Sequence, residues 1–381
     1  MQSVVIVGSG LAGYTLAREL RKLNGDISLT VVCADDGRSY SKPMLSNALA
    51  KGKGADELAM ADADKMAADL AATIHARTRV LRIDTAQRRL ITDGPEVPYD
   101  RLVLAVGATP IELPVSGDAA DAVMHVNNLE DYAHLRECID PVHRVAVVGA
   151  GLIGCEFAND LLGAGYTVHV IGRAPQALDR LLPLEAGERL QHVMGDAGVH
   201  WHLGTTAMEI NHAGDALELR LADGDCIQVD AVLSAIGLRP NTALADEADL
   251  VVNRGVVVDR HLRSSDPNIY ALGDCAEVDG LVLPFVMPIM HAARALAATL
   301  YGTPTPLNYP AMPVVVKTPL HPVVVSPPAR DAQCQWQIEA SEGGVKACCY
   351  SEGGELLGFA LTGATVAEKQ ALTKLLPPLL G

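Results

Sequence analysis

Aromatic residues make up only 4% of this 381-residue chain, which has three phenylalanines and two tryptophans. Its cores must therefore be built from Ala, Val, Leu and Gly, a composition that suits helices packed closely on parallel sheets. Basic residues are also short, 30 Lys and Arg against 46 Asp and Glu, for a formal charge of −16. Such a balance excludes non-specific binding to nucleic acid or an anionic membrane, since either needs a basic face. It leaves an acidic protein partner possible only through local geometry. No apolar run approaches the length of a membrane span, so no membrane insertion is expected. The opening MQSVVIVGSG has no basic region before its apolar run and reads as a first strand rather than a signal peptide. The eight cysteines, Cys33, Cys138, Cys155, Cys226, Cys275, Cys334, Cys348 and Cys349, form no C-x-x-C and no metal-ligand spacing. That pattern argues against a zinc site, an iron–sulfur cluster and a thioredoxin-like pair, so no metal is expected and the expected compartment is a reducing cytoplasm.

What the chain does have is one piece of grammar used twice. SVVIVGSGLAGYTLARELRKL, from Ser3 to Leu23, and VAVVGAGLIGCEFANDLLGAGYTVHVIGR, from Val145 to Arg173, each read as apolar strand, G-x-G-x-x-G, then helix. One such match is weak; two in this context point to two nucleotide-binding units. Gly8 and Gly149 supply the tight turn, Gly10 and Gly151 let backbone approach a pyrophosphate, and Gly13 and Gly154 let helix pack on strand. The free N–H groups and positive dipole of each helix start point at the anion. With 49% hydrophobic residues and 34 glycines, the chain should divide into two or three domains.

Taken in order, the second strand is expected over Ser28 to Cys33, with Asp35 and Asp36 just beyond it as ribose ligands or solvated loop groups. Lys42 precedes Pro43, which suits the first turn of a helix. A helix is expected over Ala55 to Leu70, then strands near Thr78 to Ile83 and Arg89 to Ile91. Tyr99 to Pro114 gives an apolar strand ending at Gly107. The second unit runs to about Leu244 and ends at Gly237 and the Arg239-Pro240 turn. Its cofactor strand ends in Gly172 and Arg173, where a site for NAD usually carries an acid; an arginine there suits the 2'-phosphate of NADPH, and spacing alone leaves the choice open. Asp274 closes the strand NIYALGD as a helix cap or a ligand of a polyhydroxyl chain. A helix over Met290 to Leu300 has no acidic residue at its start, so it is able to stabilise negative charge on a ligand. From Tyr309, proline-rich strands predict a small antiparallel sheet with a closing helix over Ala367 to Leu376. Neighbours on a strand face opposite ways, so Cys348 and Cys349 read as packing residues.

The order GSGLAG, GATP, GAGLIGCE, AIGLRP, YALGDCAE and VVVKTP resembles the FAD-dependent pyridine-nucleotide-disulfide reductase superfamily. SYSKPMLS and KTPLHPVVVSPP resemble its rubredoxin-NAD(+) reductase subgroup, with the flavorubredoxin reductases nearby. The resemblance implies an α/β fold with two Rossmann-like dinucleotide-binding domains and a small α+β C-terminal domain. FAD would take residues 1–110 and 245–308, NAD(P)H 111–244, and the C-terminal domain 309–381. It implies non-covalent FAD, NADH as donor with NADPH not excluded, and rubredoxin as a transient partner. Lys42, Glu156 and Lys317 would be catalytic, with Glu156 facing Lys42 beside the flavin. The cofactor contacts it implies are Gly8, Gly10, Leu11, Ala12, Gly13, Asp35, Lys42, Pro43, Val80, Ala105, Gly107, Gly149, Gly151, Ile153, Gly154, Glu156, Arg173, Gly237, Gly273, Asp274, Met290 and Lys317. Arg38 and Arg330 are candidate rim contacts for the partner. Competing readings are a reductase of ferredoxin or flavorubredoxin, an NADH oxidase, and a non-catalytic FAD and NADH sensor.

Overall fold

The computed structural model describes residues 3–23, 25–140, 143–329 and 331–381. Its first sheet has five parallel strands in the spatial order Ile269–Ala271, Arg101–Leu104, Ser3–Val7, Ser28–Val32, Thr73–His75. The central strand, SVVIV, is almost wholly apolar because it is covered on both faces, and Val4, Val5 and Ile6 are buried. The helix Leu11–Leu23 lies against the helix Val286–Leu300, and a three-stranded antiparallel sheet, Val80–Asp84, Arg89–Thr92 and Val97–Pro98, adds Ile83, Leu90 and Val97 to the same core. One edge strand thus comes from residues far beyond the rest, so this unit is discontinuous in the chain.

The second sheet repeats the plan in the order Val123–Met124, Ala231–Ser234, Arg144–Val148, Thr167–Gly172, Val199–Leu203, again all parallel. Alternation sends Ala146, Val148 and Ile171 into a core shared with the antiparallel strands Ala207–Ala213, Ala216–Leu221 and Cys226–Val229. Val145, Val147, Val168 and Val170 meet Phe157 and Leu161 of the helix Leu152–Gly163 on the other face. The two chain passages between the sheets, Ala108–Pro110 and Leu238–Pro240, pair as an antiparallel ribbon. A third sheet, antiparallel, runs Val314–Val316, Val323–Ser326, Leu356–Thr362, Gly344–Ser351, Cys334–Ser341. Its residues Val316, Val325, Val345 and Ala347 share a core with the second unit, while Phe359, Leu361 and Leu372 close its other face.

Several local expectations change. The helix expected over Ala55 to Leu70 is broken into Ala55–Leu58 and Ala63–Leu70, because Asp62 caps the second piece by accepting the Lys65 N–H at 2.8 Å. Between them Ala59–Ala61 pairs with Ser39–Tyr40. The helix expected to start at Met290 starts at Val286: Pro288 is tolerated because N–H groups of a first turn have no intrahelical partner. The closing helix is a 3-10 turn, Gly363–Glu368, followed by Lys369–Thr373. Cys349 is not a free packing residue: it is disulfide-bonded to Cys334, with a Cα separation of 5.9 Å. Cys348 remains a buried free thiol.

Candidate functional site

The two glycine turns have the same steric anatomy. A Cβ on Gly8, at φ +114°, would lie 2.3 Å from the Ala105 carbonyl oxygen; on Gly149, at φ +122°, it would lie 2.4 Å from that of Ala235. A Cβ on Gly13 would lie 2.0 Å from the Gly8 oxygen, and on Gly154 it would lie 1.7 Å from the Gly149 oxygen. These four positions hold strand against helix. Gly10 and Gly151 differ: a Cβ on either would meet nothing within 4 Å. Each turn therefore keeps an open cradle at a helix start that carries no acidic residue in its first turn. That shape fits a dinucleotide pyrophosphate at both turns.

Around the first turn, Ser9 Oγ donates to Asp35 Oδ1 at 2.6 Å, and the Gly37 N–H donates to the same oxygen at 3.0 Å. Asp36 turns away to Arg38, whose Nε is 2.6 Å from its carboxylate; Arg38 also reaches Asp56 at 2.8 Å and is thus already engaged. Arg330 lies outside the described residues. Gly273, at φ +81°, brings its strand end so close to Ala12 that an added Cβ would lie 2.8 Å from the Ala12 Cβ. Asp274 follows, with its Oδ2 3.9 Å from Lys42 Nζ. Burial lowers the Lys42 pKa, against the pull of Asp274 and Asp131, and burial raises that of Asp274, against Lys42. Pro43 sits in the short 3-10 turn Lys42–Met44. The structure thus gathers Gly8, Gly10, Leu11, Ala12, Gly13, Asp35, Lys42, Pro43, Ala105, Gly273 and Asp274 around one end of the first sheet. Val80 instead opens a strand of the small antiparallel sheet and packs on the first core. Met290 lies in the second turn of its helix rather than at the start.

Around the second turn, Ile153 stands 42% exposed on the first turn of the helix Leu152–Gly163. Gly107 and Gly237, both at positive φ, flank the ribbon between the sheets, and Arg173 follows the buried Gly172.

The expected pairing of Glu156 with Lys42 is not made. Glu156 is 1% exposed and joins the C-terminal unit instead: one carboxylate oxygen accepts the backbone N–H of Lys317 at 2.9 Å, and the other ion-pairs with Lys317 Nζ. Ser46 Oγ donates to Glu156 Oε2 at 2.6 Å and accepts from Lys317 Nζ at 3.2 Å. Lys42 is left to Asp274 because its 3-10 turn aims it at the first glycine turn. Two further residues of the same helix face escaped the sequence reading. Asp160, 2% exposed, accepts the N–H groups of Ala48, Leu49 and Ala50 at 2.8, 2.9 and 3.0 Å. Asn159 Oδ1 accepts the Leu320 N–H at 3.2 Å. Polar residues at i, i+3 and i+4 in an otherwise apolar helix were the available signal, since that spacing puts them on one face.

Comparison with known proteins agrees with this anatomy. Residues 2–298 match the family described as pyridine nucleotide-disulphide oxidoreductase. The chain belongs to this family. Residues 306–376 match a domain described as the rubredoxin binding C-terminal domain. The chain is 45% identical over 381 residues to the rubredoxin-NAD(+) reductase of Alcanivorax borkumensis, covering all of both chains. It is also 45% identical to the rubredoxin-NAD(+) reductase of Acinetobacter baylyi, covering 100% of this chain and 99% of that one. Among solved structures, a ferredoxin reductase from Rhodopseudomonas palustris superposes with a TM-score of 0.87 at 30% identity, covering 95% of this chain and 91% of that one. The family resemblance and the fold class read from the motifs are borne out. Family membership implies FAD and a nicotinamide dinucleotide, and the two open cradles fit them. Among the described residues, no helix is long and apolar enough to cross a membrane.

Proposed function

We propose that the chain carries electrons from NADH, through bound FAD, to rubredoxin. The observation that carries this reading is the full-length likeness to rubredoxin-NAD(+) reductases, which extends through the C-terminal sheet. Residues 1–110 and 245–308 form the FAD unit in this reading, 111–244 the NADH unit and 309–381 the docking unit. Gly8, Gly10 and Gly13 receive the FAD pyrophosphate with the N–H groups of Leu11 and Ala12, Asp35 takes the adenosine ribose, and Asp274 the ribityl chain. Gly149, Gly151, Ile153 and Gly154 receive the pyrophosphate of NADH. Bound FAD supplies the conversion of a hydride into single electrons, which is what a one-electron acceptor requires. Glu156 and Ser46 fix Lys317 where the three units meet, and Lys42 and Asp274 form a second ion pair at the first turn. A cytoplasmic location is part of the same proposal, supported by the buried free thiols Cys33, Cys155, Cys275 and Cys348, while the Cys334–Cys349 disulfide argues the other way.

Anaerobic stopped-flow tests the reading. Protein reduced with stoichiometric NADH is mixed with oxidised rubredoxin and, separately, with a plant-type ferredoxin. Fast flavin reoxidation by rubredoxin alone is expected; slow reoxidation by both would overturn the proposal in favour of an oxidase or a sensor. Because the chain is strongly acidic, docking is assigned to apolar contact, and a steep fall of the rubredoxin rate with added salt would contradict that part.

A further inference from the structure

One disulfide stands in a chain that otherwise keeps its thiols free. Cys334 and Cys349 are joined, while Cys33, Cys138, Cys155, Cys226, Cys275 and Cys348 are not. A reducing compartment keeps thiols open, and a pair that closes there is characteristically one that forms and breaks.

The pair sits where such a bond has something to hold. Cys334 opens the strand Cys334–Ser341, the outermost of the C-terminal sheet, which pairs on one side only among the described residues. In the ladder Trp336 stands opposite Cys349 and Cys334 opposite Ser351, so Cys334, Trp336 and Cys349 share one face of the sheet. On that face Trp336 and Ile338 are only partly buried against the core shared with the second unit, and Gln335, Gln337 and Glu339 on the other face are exposed. The other neighbour of Cys349 is Gly358, where an added Cβ would lie 2.6 Å from the Pro328 nitrogen. The segment leading from the strand Val323–Ser326 into Cys334 therefore crosses the face that carries the sulfurs. An edge strand with one ladder and two half-buried anchors is the part of a sheet that opens at least cost, and the disulfide clamps its first residue. Access to the two sulfurs is unequal. Cys349 is 0% exposed, whereas Cys334 is half-buried at the strand end. Cys348, the next residue to Cys349, points into the opposite core with Phe359 and Leu361 and takes no part.

We propose that Cys334 and Cys349 form a reversible thiol–disulfide site that exchanges with a low-molecular-weight disulfide and its thiol, and that closure fixes the edge strand on the C-terminal sheet. The inference rests on the proposed function only in placing the chain in a reducing cytoplasm. In the closing direction the accessible Cys334 thiolate attacks one sulfur of glutathione disulfide, forming a mixed disulfide and expelling one glutathione thiolate. The Cys349 thiolate then attacks the Cys334 sulfur, which forms the internal bond and expels the second. The two cysteines lose two electrons, the glutathione disulfide gains them, and the two cysteine protons end on the two glutathione thiols. Excess glutathione runs the same steps backwards.

The test equilibrates the full-length, FAD-loaded protein in glutathione buffers from mostly reduced to mostly oxidised. Samples are quenched in acid and alkylated, and thiols are counted peptide by peptide by mass. Cys334 and Cys349 are expected to change together, with both forms populated within that range. Cys348→Ala should leave their midpoint unchanged. Hydrogen exchange on the two forms should show the amides of the edge strand exchanging on the order of tenfold faster when the pair is open. Cys334→Ser should show the fast rate in every buffer, and a thermal melt confirms that it is folded. A pair that stays joined at the most reducing ratio in folded protein, or stays open at the most oxidising one, would overturn the site. Equal exchange in both forms would overturn the clamp. These assays contain neither NADH nor rubredoxin, so electron transfer to rubredoxin stands or falls separately on the stopped-flow result.

Discussion

Glu156 offers the sharpest test of how the three units are joined. Changing it to Gln keeps the volume and one carbonyl oxygen, so the Lys317 backbone N–H retains a partner. The new amide N–H groups, however, would face the Ser46 hydroxyl and Lys317 Nζ, both of which now donate to a carboxylate oxygen. Breaking a buried ion pair from one side costs about 3–5 kcal/mol. Lys317 keeps 24% of its side-chain exposure, so part of its charge is already solvated and the lower end applies, about 3 kcal/mol. For a chain of this length that corresponds to a fall in Tm of about 4 °C. Lys317→Met should cost a similar amount, because Glu156 at 1% exposure then keeps only Ser46 and one N–H. Removing both charges abolishes the unpaired group, so the double variant should be about 2 kcal/mol less destabilised than the sum of the singles. Thermal unfolding of the FAD-loaded proteins by circular dichroism measures this, with flavin absorbance confirming equal loading. Singles that add to within about 0.5 kcal/mol would show no coupling and refute the junction.

Gly151→Ala should fold normally but bind ADP-ribose more weakly, because its Cβ enters the open space that the proposed function gives to the pyrophosphate; Gly154→Ala should lower Tm sharply, with its Cβ 1.7 Å from a backbone oxygen. Thermal melts with titrations on both variants separate the two roles. His169 shares a 3.1 Å hydrogen bond with His202 and stacks on His200, and its pKa is held down at about 4 by burial first, then by His200, His202 and Arg144. The unfolded chain takes up this proton near 6.5 while the folded chain resists, so stability present above 6.5 is lost as pH falls toward about 4. Wild type should therefore lose Tm more steeply over that window than His169→Gln; parallel curves would remove the assignment. Non-reduced peptide mapping should recover Cys334 linked to Cys349, and Cys334→Ser should cost up to about 3 kcal/mol, the loop-closure value for a loop of this size.

The fold was legible where its causes are local. Each glycine turn is enforced by contacts within a few residues, Gly13 against Gly8 and Gly154 against Gly149, so the repeated motif announced both sheets. The apolar strands SVVIV and RVAVV followed from burial on both faces. What stayed hidden depends on register and on contacts across the chain. Cys349 stands opposite Trp336 and Cys334 opposite Ser351, a diagonal placement that no spacing rule reveals. The family resemblance points Glu156 at Lys42, and nothing local in the sequence points it at Lys317. The choice is made by a 3-10 turn that carries Lys42 toward Asp274 and by a strand end that delivers the Lys317 backbone N–H and side chain to the same carboxylate.

That choice gives the helix Leu152–Gly163 a second task beyond starting at a glycine turn. Its buried face carries Glu156 and Asn159 to the C-terminal segment around Lys317 and Leu320, and Glu156 and Asp160 to Ser46 and the backbone of residues 48–50. Buried carboxylates are costly unless every oxygen is answered, and here hydroxyl, ammonium and backbone N–H groups from two other units answer them. The helix therefore cannot shift without unsatisfying both neighbours. The open glycine turn at its N-terminus, the first unit's Lys42, which pairs with Asp274 and lies four residues before Ser46, and the C-terminal sheet are held in one frame. Hydride delivery and partner docking both depend on fixed separations, and a polar junction serves them better than an apolar one because it admits only one register.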